Sequence, residues 1–229
     1  LILGHRNSEW CGHGPVLEQD IAITNISLDL IGQARNFYQH AAALKNDGST
    51  EDSLAYLRDV GDFKNCLLVE QPNGDWAQTI LRQFFFSAYQ DLLYKKLLNS
   101  DDKQIAAIAE KSLKEISYHL RWSSEWVIRL GDGTDESRQR INAAINSVWD
   151  YTGELFIPAS YETGSQHDPS ILRQDWESKV KEIFAEATLS VPERSLQHKG
   201  GKEGAHSEYL ESILSDLQFM QRAYPGCEW

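Results

Sequence analysis

The 229 residues carry 34 acidic against 22 basic side chains, a formal net charge of −12, with 41% hydrophobic and 24% charged positions and only 6 prolines. That is the balance of a folded chain long enough for one sizeable core, and a surface of this sign repels nucleic acid and anionic membrane. Three cysteines, Cys11, Cys66 and Cys227, are too few and too scattered for a disulfide framework or a C-x-x-C metal pair, so a reduced, cytoplasmic protein is expected.

Apolar runs such as CLLVEQ and FFFSAY are far shorter than a membrane span, and helical periodicity dominates while strand-like alternation is nearly absent. The expected fold is all-α, a single helical domain over residues 1–229. The opening LILGHRNSEW, without Met or a signal pattern, reads as a first helix lacking its beginning. A long helix is predicted over residues 15–43, opened by Pro15. Another spans 75–98, and a third spans 102–130 and stops at GDG, where glycine suits the left-handed turn past a helix end. A fourth follows Thr134, with Asp135 and Glu136 at the positive end of its dipole, and runs to about residue 156 before Pro158. After the loop SYETGSQHDPS, Asp168 or Ser170 caps a helix to 188. A glycine- and lysine-rich connection, VPERSLQHKGGKEGAHS, leads to a last helix over 207–223.

Polar stripes run along four of these helices. Glu18, Asn25, Asp29, Gly32 and Asn36 share one face of the first, bordered by Leu17, Ile21 and Leu28 on one side and Ala22, Ile26 and Leu30 on the other. Such a stripe is expected to point inward, leaving Asp20, Thr24 and Ser27 to solvent. The second helix repeats the pattern with Gln83, Ser87, Gln90 and Tyr94, the third supplies Glu115 and His119, and the fourth an i, i+4, i+8 ladder of Asn146, Asp150 and Glu154.

Four helices aiming polar groups at one interior is the plan of a ferritin-like di-iron bundle, which takes a carboxylate from each of two helices and Glu-x-x-His from each of the other two. This chain fails that count. His119 is the mid-helix imidazole of the stripes, and its carboxylate partner stands four residues back, with Ile116 in the usual position. Ser87 and Gln90 occupy a Glu-x-x-His spacing with neither an anion nor an imidazole. His5, His13, His167 and His198 fall near ends or in loops, His40 late in its helix, and His206 at the start of the last. The expected interior is a metal-free polar core in which Glu115 and His119 bond to each other and Asp29 faces Arg35 or Arg82.

The strings EWCGHGPVLEQDIA, NISLDLIGQARNFY, LLVEQPNGDWAQTILRQFF, IAEKSLKEISYHLRWS, RLGDGTDESRQRI, EATLSVP and GGKEGAHSEYLESILSDLQFMQRAYPGCEW resemble the C subunits of multicomponent phenylacetyl-CoA 1,2-epoxidases. The resemblance covers essentially the whole chain. It implies a ferritin-like helical subunit that has lost its metal ligands and plays a structural part. Its partner would be a catalytic A subunit that holds the di-iron centre and binds the CoA thioester, alongside other epoxidase subunits, in aerobic phenylacetate catabolism. It implies no cofactor in this chain and leaves homo-oligomerisation open. Close relatives can carry Asp-x-x-His where this chain has Ser87 and Gln90.

On this reading Glu18, Asn25, Asp29, Ser87, Gln90, Glu115, His119, Asp150 and Glu154 are a vestigial polar core, with no catalytic residue. The rival reading is a self-sufficient di-iron oxidase using Glu18, Asp29, Glu115, His119, Asp150 and Glu154. Lys199 and Lys202, in HKGGKEGAHSE, are candidate contacts for an anion such as the CoA 3′-phosphate, although the spacing is not that of a P-loop. Phe84, Phe85, Phe86 and Tyr89 fan too widely to face one way, which predicts a helix buried on several sides. Cys11 and Cys66 are expected to be small buried hydrophobes.

Overall fold

Capping side chains set where three of the helices begin. Asp75 accepts from the Gln78 N–H at 3.0 Å, Asp102 from Gln104 and Ile105 at 2.8 and 3.2 Å, and Thr134 from Ser137 at 3.2 Å. The computed structural model describes residues 1–163, 168–193 and 196–227. Among them are eight α-helices and no strand, an all-α chain of the ferritin-like bundle class: α1 (Ile2–Ser8), α2 (Leu17–Lys45), α3 (Glu51–Tyr56), α4 (Trp76–Leu97), α5 (Lys103–Gly131), α6 (Asp135–Val148), α7 (Arg173–Glu186) and α8 (Glu208–Ala223). None of these helices is long and apolar enough to cross a membrane. The contacts group into two compact units, residues 1–65 with 200–229, and residues 66–199. His167 and part of the loop before α7 lie outside the described residues.

In the first unit α1 lies on α2, and Gly4 permits the close approach. A Cβ there would stand 3.1 Å from Ile31 Cγ1 and 3.2 Å from the Ser27 carbonyl oxygen. Pro15 precedes α2 rather than entering it, and the Asp20 carboxylate instead draws the loop back by accepting the Gly14 N–H at 2.9 Å. That bond, with others from Gly12 and His13, holds the Asp20 carboxyl below the usual carboxylate range. At the other end Asn46, at φ 49°, makes the left-handed turn that closes the helix. The end of α3 and the loop after it are tied to α8: Gln218 Nε2 donates to the Ala55 and Arg58 carbonyls at 3.1 and 2.9 Å, and Arg222 to the Arg58 carbonyl and Asp59 at 2.9 Å each.

In the second unit α4 packs against α5, α6 and α7. The breadth of its aromatic run is explained by that position, since Phe84 and Phe85 are wholly buried and Tyr89 nearly so, with Phe86 partly exposed. Phe85 meets Trp149 and Trp176 at centroid distances of 5.6 and 5.5 Å, and the Trp176 indole N–H donates to the Phe85 carbonyl at 2.9 Å. The helix α5 does stop beside GDG, but neither Gly131 nor Gly133 takes a left-handed conformation. Gly131 is required for another reason: a Cβ there would collide with the Ala187 carbonyl at the end of α7.

Candidate functional site

The structure turns α2 the other way from the sequence expectation. Its buried face is Ala22, Ile23, Ile26, Ser27, Leu30 and Gln33, while Glu18, Asn25 and Gly32 are exposed and Asp29 and Asn36 half-exposed. Ser27 can be buried because its hydroxyl donates to the Ile23 carbonyl at 2.8 Å, and Gly4 lets α1 cover that side. Outward go Leu17, Ile21, Leu28 and Ile31, at 72, 52, 62 and 37% exposure. Their positions fit alternating steps of four and three, the repeat of a seam that takes a partner helix. Arg35, offered as a partner for Asp29, is exposed and pairs with Glu51 at 3.3 Å.

The polar stripe of α4, in contrast, is interior: Gln83 and Ser87 are fully buried, and Gln90 and Tyr94 are 6 and 5% exposed. Gln83 Nε2 donates to Ser87 Oγ at 2.8 Å. Burial and the nearby Glu115 carboxylate raise the Tyr94 phenol above its ordinary value, opposed by its hydrogen bond with Gln90. On α5, His119 is fully buried and Glu115 only half-buried. Sequence reasoning gave Arg82 too small a part. It is wholly enclosed, hydrogen-bonded to the Gln71 carbonyl and, at 2.5 Å, to Asn73 Oδ1. Gln78 and Thr79 bind the Pro72 and Asn73 carbonyls at 2.9 Å each. The string LVEQPNG is thus a loop strapped to the start of α4, with Gly74 at φ 57° making its last turn. A lone Arg among apolar residues just past a Pro-Asn-Gly turn was the available signal.

The ladder predicted for the fourth helix does not form, because α6 ends at Val148 and two 3₁₀ turns, Trp149–Tyr151 and Gly153–Phe156, follow. The change of pitch breaks the shared face. Asn146 is exposed, Asp150 is half-exposed with its carbonyl accepting from His198 N–H at 3.0 Å, and Glu154, at 2% exposure, accepts the Leu67 N–H at 2.6 Å. Glu154 therefore braces the turn at Leu67–Glu70. Of the two lysines suggested for an anion, Lys199 is exposed and Lys202 is 9% exposed within the short Gly201–Glu203 turn. That turn is held against residues 61–64 by Lys64 on the Glu203 carbonyl at 3.1 Å, and by Gly204 at φ 93°. Cys66 is buried as expected, but Cys11 is exposed.

A pair of irons requires several anionic oxygens and imidazoles converging on one point. Among the described residues no three His, Cys, Asp or Glu side chains are grouped to hold a metal ion. The donor set does not fit a di-iron centre: Glu154 braces a backbone turn, Glu18 is on the surface, and the buried Ser87 and Gln90 offer neither an anion nor an imidazole. The chain has counterparts among known proteins. A sequence profile of PaaA_PaaC, described as Phenylacetic acid catabolic protein, matches residues 1–229. The chain belongs to that family. It is also 49% identical over 234 aligned positions to the C subunit of the 1,2-phenylacetyl-CoA epoxidase of Escherichia coli (strain K12), covering 100% of this chain and 94% of that protein.

Proposed function

We propose that this chain is the C subunit of a phenylacetyl-CoA epoxidase, a non-catalytic helical component that docks against and stabilises a di-iron catalytic subunit in cytoplasmic phenylacetate catabolism. The whole-length likeness at 49% identity supports the assignment to the C component. A non-catalytic role is supported by Glu154, whose carboxylate is engaged by the Leu67 N–H, and by the exposure of Glu18.

The docking role is carried by the outward face of α2. Four large apolar side chains, Leu17, Ile21, Leu28 and Ile31, stand open along one stripe of a 29-residue helix. Burying each fully is worth about 1.5–3 kcal/mol, and a permanent subunit interface covers roughly 2,000 Å² or more. A partner helix is what such a stripe accommodates. The catalytic iron and the CoA thioester then belong to the partner.

The test is co-expression of a tagged chain with the catalytic subunit, together with anaerobic ferrous loading of the chain alone. The proposal expects a stable complex through gel filtration and no stoichiometric iron in the isolated chain. Two tightly bound irons with an oxo-bridge absorption would instead support the self-sufficient oxidase, and the absence of any complex would remove the docking role.

A further inference from the structure

A concave surface lies within the unit formed by residues 66–199, and none of its lining residues belongs to the polar stripe of α4. It is a groove of about 590 Å³ bounded by α4, α5 and α7. Its size falls within the roughly 300–1,000 Å³ of small-molecule clefts, and its apolar wall is made by Ala88 and Leu92 of α4, Leu120 and Ile128 of α5, and Ile183 of α7.

Two polar groups on α5 distinguish this groove from a gap between helices. Serines within a helix ordinarily donate to the carbonyl one turn back, as Ser117 and Ser123 do to Leu113 and His119 at 2.8 and 2.7 Å. Ser124 does not: it is 7% exposed, it lines the groove, and among the described residues its hydroxyl has no hydrogen-bond partner. Leaving such a hydroxyl unpaired is unfavourable, and that loss is recovered when an acceptor reaches it. One turn earlier stands Arg121, whose guanidinium lies 5.9 Å over the Tyr118 ring and has no carboxylate partner among the described residues. The other charges of the groove are engaged, Lys95 with Asp91 at 2.7 Å, Lys179 with Glu182 at 2.9 Å, and Glu125 with Arg129 at 3.7 Å.

A guanidinium without a carboxylate partner and an unpaired hydroxyl three residues apart share a helix face, so both can address one carboxylate, the guanidinium through a forked pair of bonds. From this arrangement we infer that the α4–α5–α7 groove is a binding site for a small monocarboxylate with an apolar body, the acid held by Arg121 and Ser124 and the body laid on Leu92, Leu120 and Ile183. The site is distinct from the α2 seam and stands or falls apart from the proposed role in the epoxidase.

The experiment is a titration of the full chain with phenylacetate and, separately, octanoate, followed by two-dimensional amide NMR, with 2-phenylethanol as the uncharged control. Saturable shifts confined to α4, α5 and α7 are expected for both acids and not for the alcohol. Arg121→Gln should weaken binding about 10-fold or more, the loss of a charge-assisted pair, and Ser124→Ala a few-fold. Ser124→Ala removes only an unpaired hydroxyl and should leave the melting temperature unchanged or higher, so it remains informative even if the arginine variant folds poorly. Equal binding of the alcohol, unchanged affinity in Ser124→Ala, or no saturable shift at millimolar acid would each overturn the inference.

Discussion

Helices α2 and α4 carry the same kind of sequence, a polar stripe with apolar residues on either side, and the structure uses them in opposite ways. The stripe of α4 is enclosed, with Gln83 and Ser87 bonded to each other. On α2 Glu18 and Asn25 face outward in company with Leu17, Ile21 and Leu28. The pattern therefore does not by itself say whether a face is enclosed within the chain or left open, and on the proposed function the open face of α2 is the one that takes another molecule. An interior polar stripe must find most of its hydrogen bonds within the chain, whereas an open one has them from solvent.

Four experiments sharpen that contrast, ordered by their expected effect on the isolated chain. Arg82→Met strips the LVEQPNG loop of its enclosed anchor and should destabilise the chain by about 3 kcal/mol or more, lowering the melting temperature by roughly 6 °C or more. Equilibrium urea unfolding checks it, and a loss below about 1 kcal/mol would show that the loop holds without the arginine. Trp176→Phe removes the bond to the Phe85 carbonyl and some ring volume, with an expected loss of about 2 kcal/mol in the same assay. By contrast, Leu28→Asp should change stability by no more than about 0.5 kcal/mol, as at other open surface positions, while abolishing retention of the catalytic subunit on a tagged column. A large loss of stability there would mean that α2 is rotated inward after all.

The smallest effect concerns pH. Burial is the main influence on His5 and pushes its imidazole below the ordinary 6.5, opposed by Glu9 and Asp216. With the folded value depressed, the unfolded chain binds the extra proton first. Stability contributed by neutral His5 is then complete above pH 6.5 and declines as the pH falls through the unfolded and then the folded value. An NMR titration of the His5 ring should show a midpoint below 6.5, and His5→Gln should flatten the acid side of the stability curve.

What was legible in the sequence was local. Asp75, Asp102 and Thr134 announced the starts of α4, α5 and α6, because a cap acts on N–H groups two or three residues ahead. The breadth of the Phe84–Phe85–Phe86 run gave the central place of α4, since no single face holds it. The rotation of α2 was not legible, because it depends on Gly4 admitting α1 against Ser27, a contact set by tertiary packing. Glu154 is buried as expected, but its partner was illegible for a similar reason: it is the N–H of Leu67, 87 residues away in the chain. The short helix α3, capped by Thr50 and Ser53, also escaped, as six residues carry too little periodicity to register.

Hydrogen exchange of α2 tests the central claim most directly. In the chain alone and in complex with the catalytic subunit, amides of residues 17–31 should gain protection on assembly while those of α4, already enclosed, change little. Unaltered exchange along α2 in a complex that demonstrably forms would place the docking face elsewhere and contradict the account.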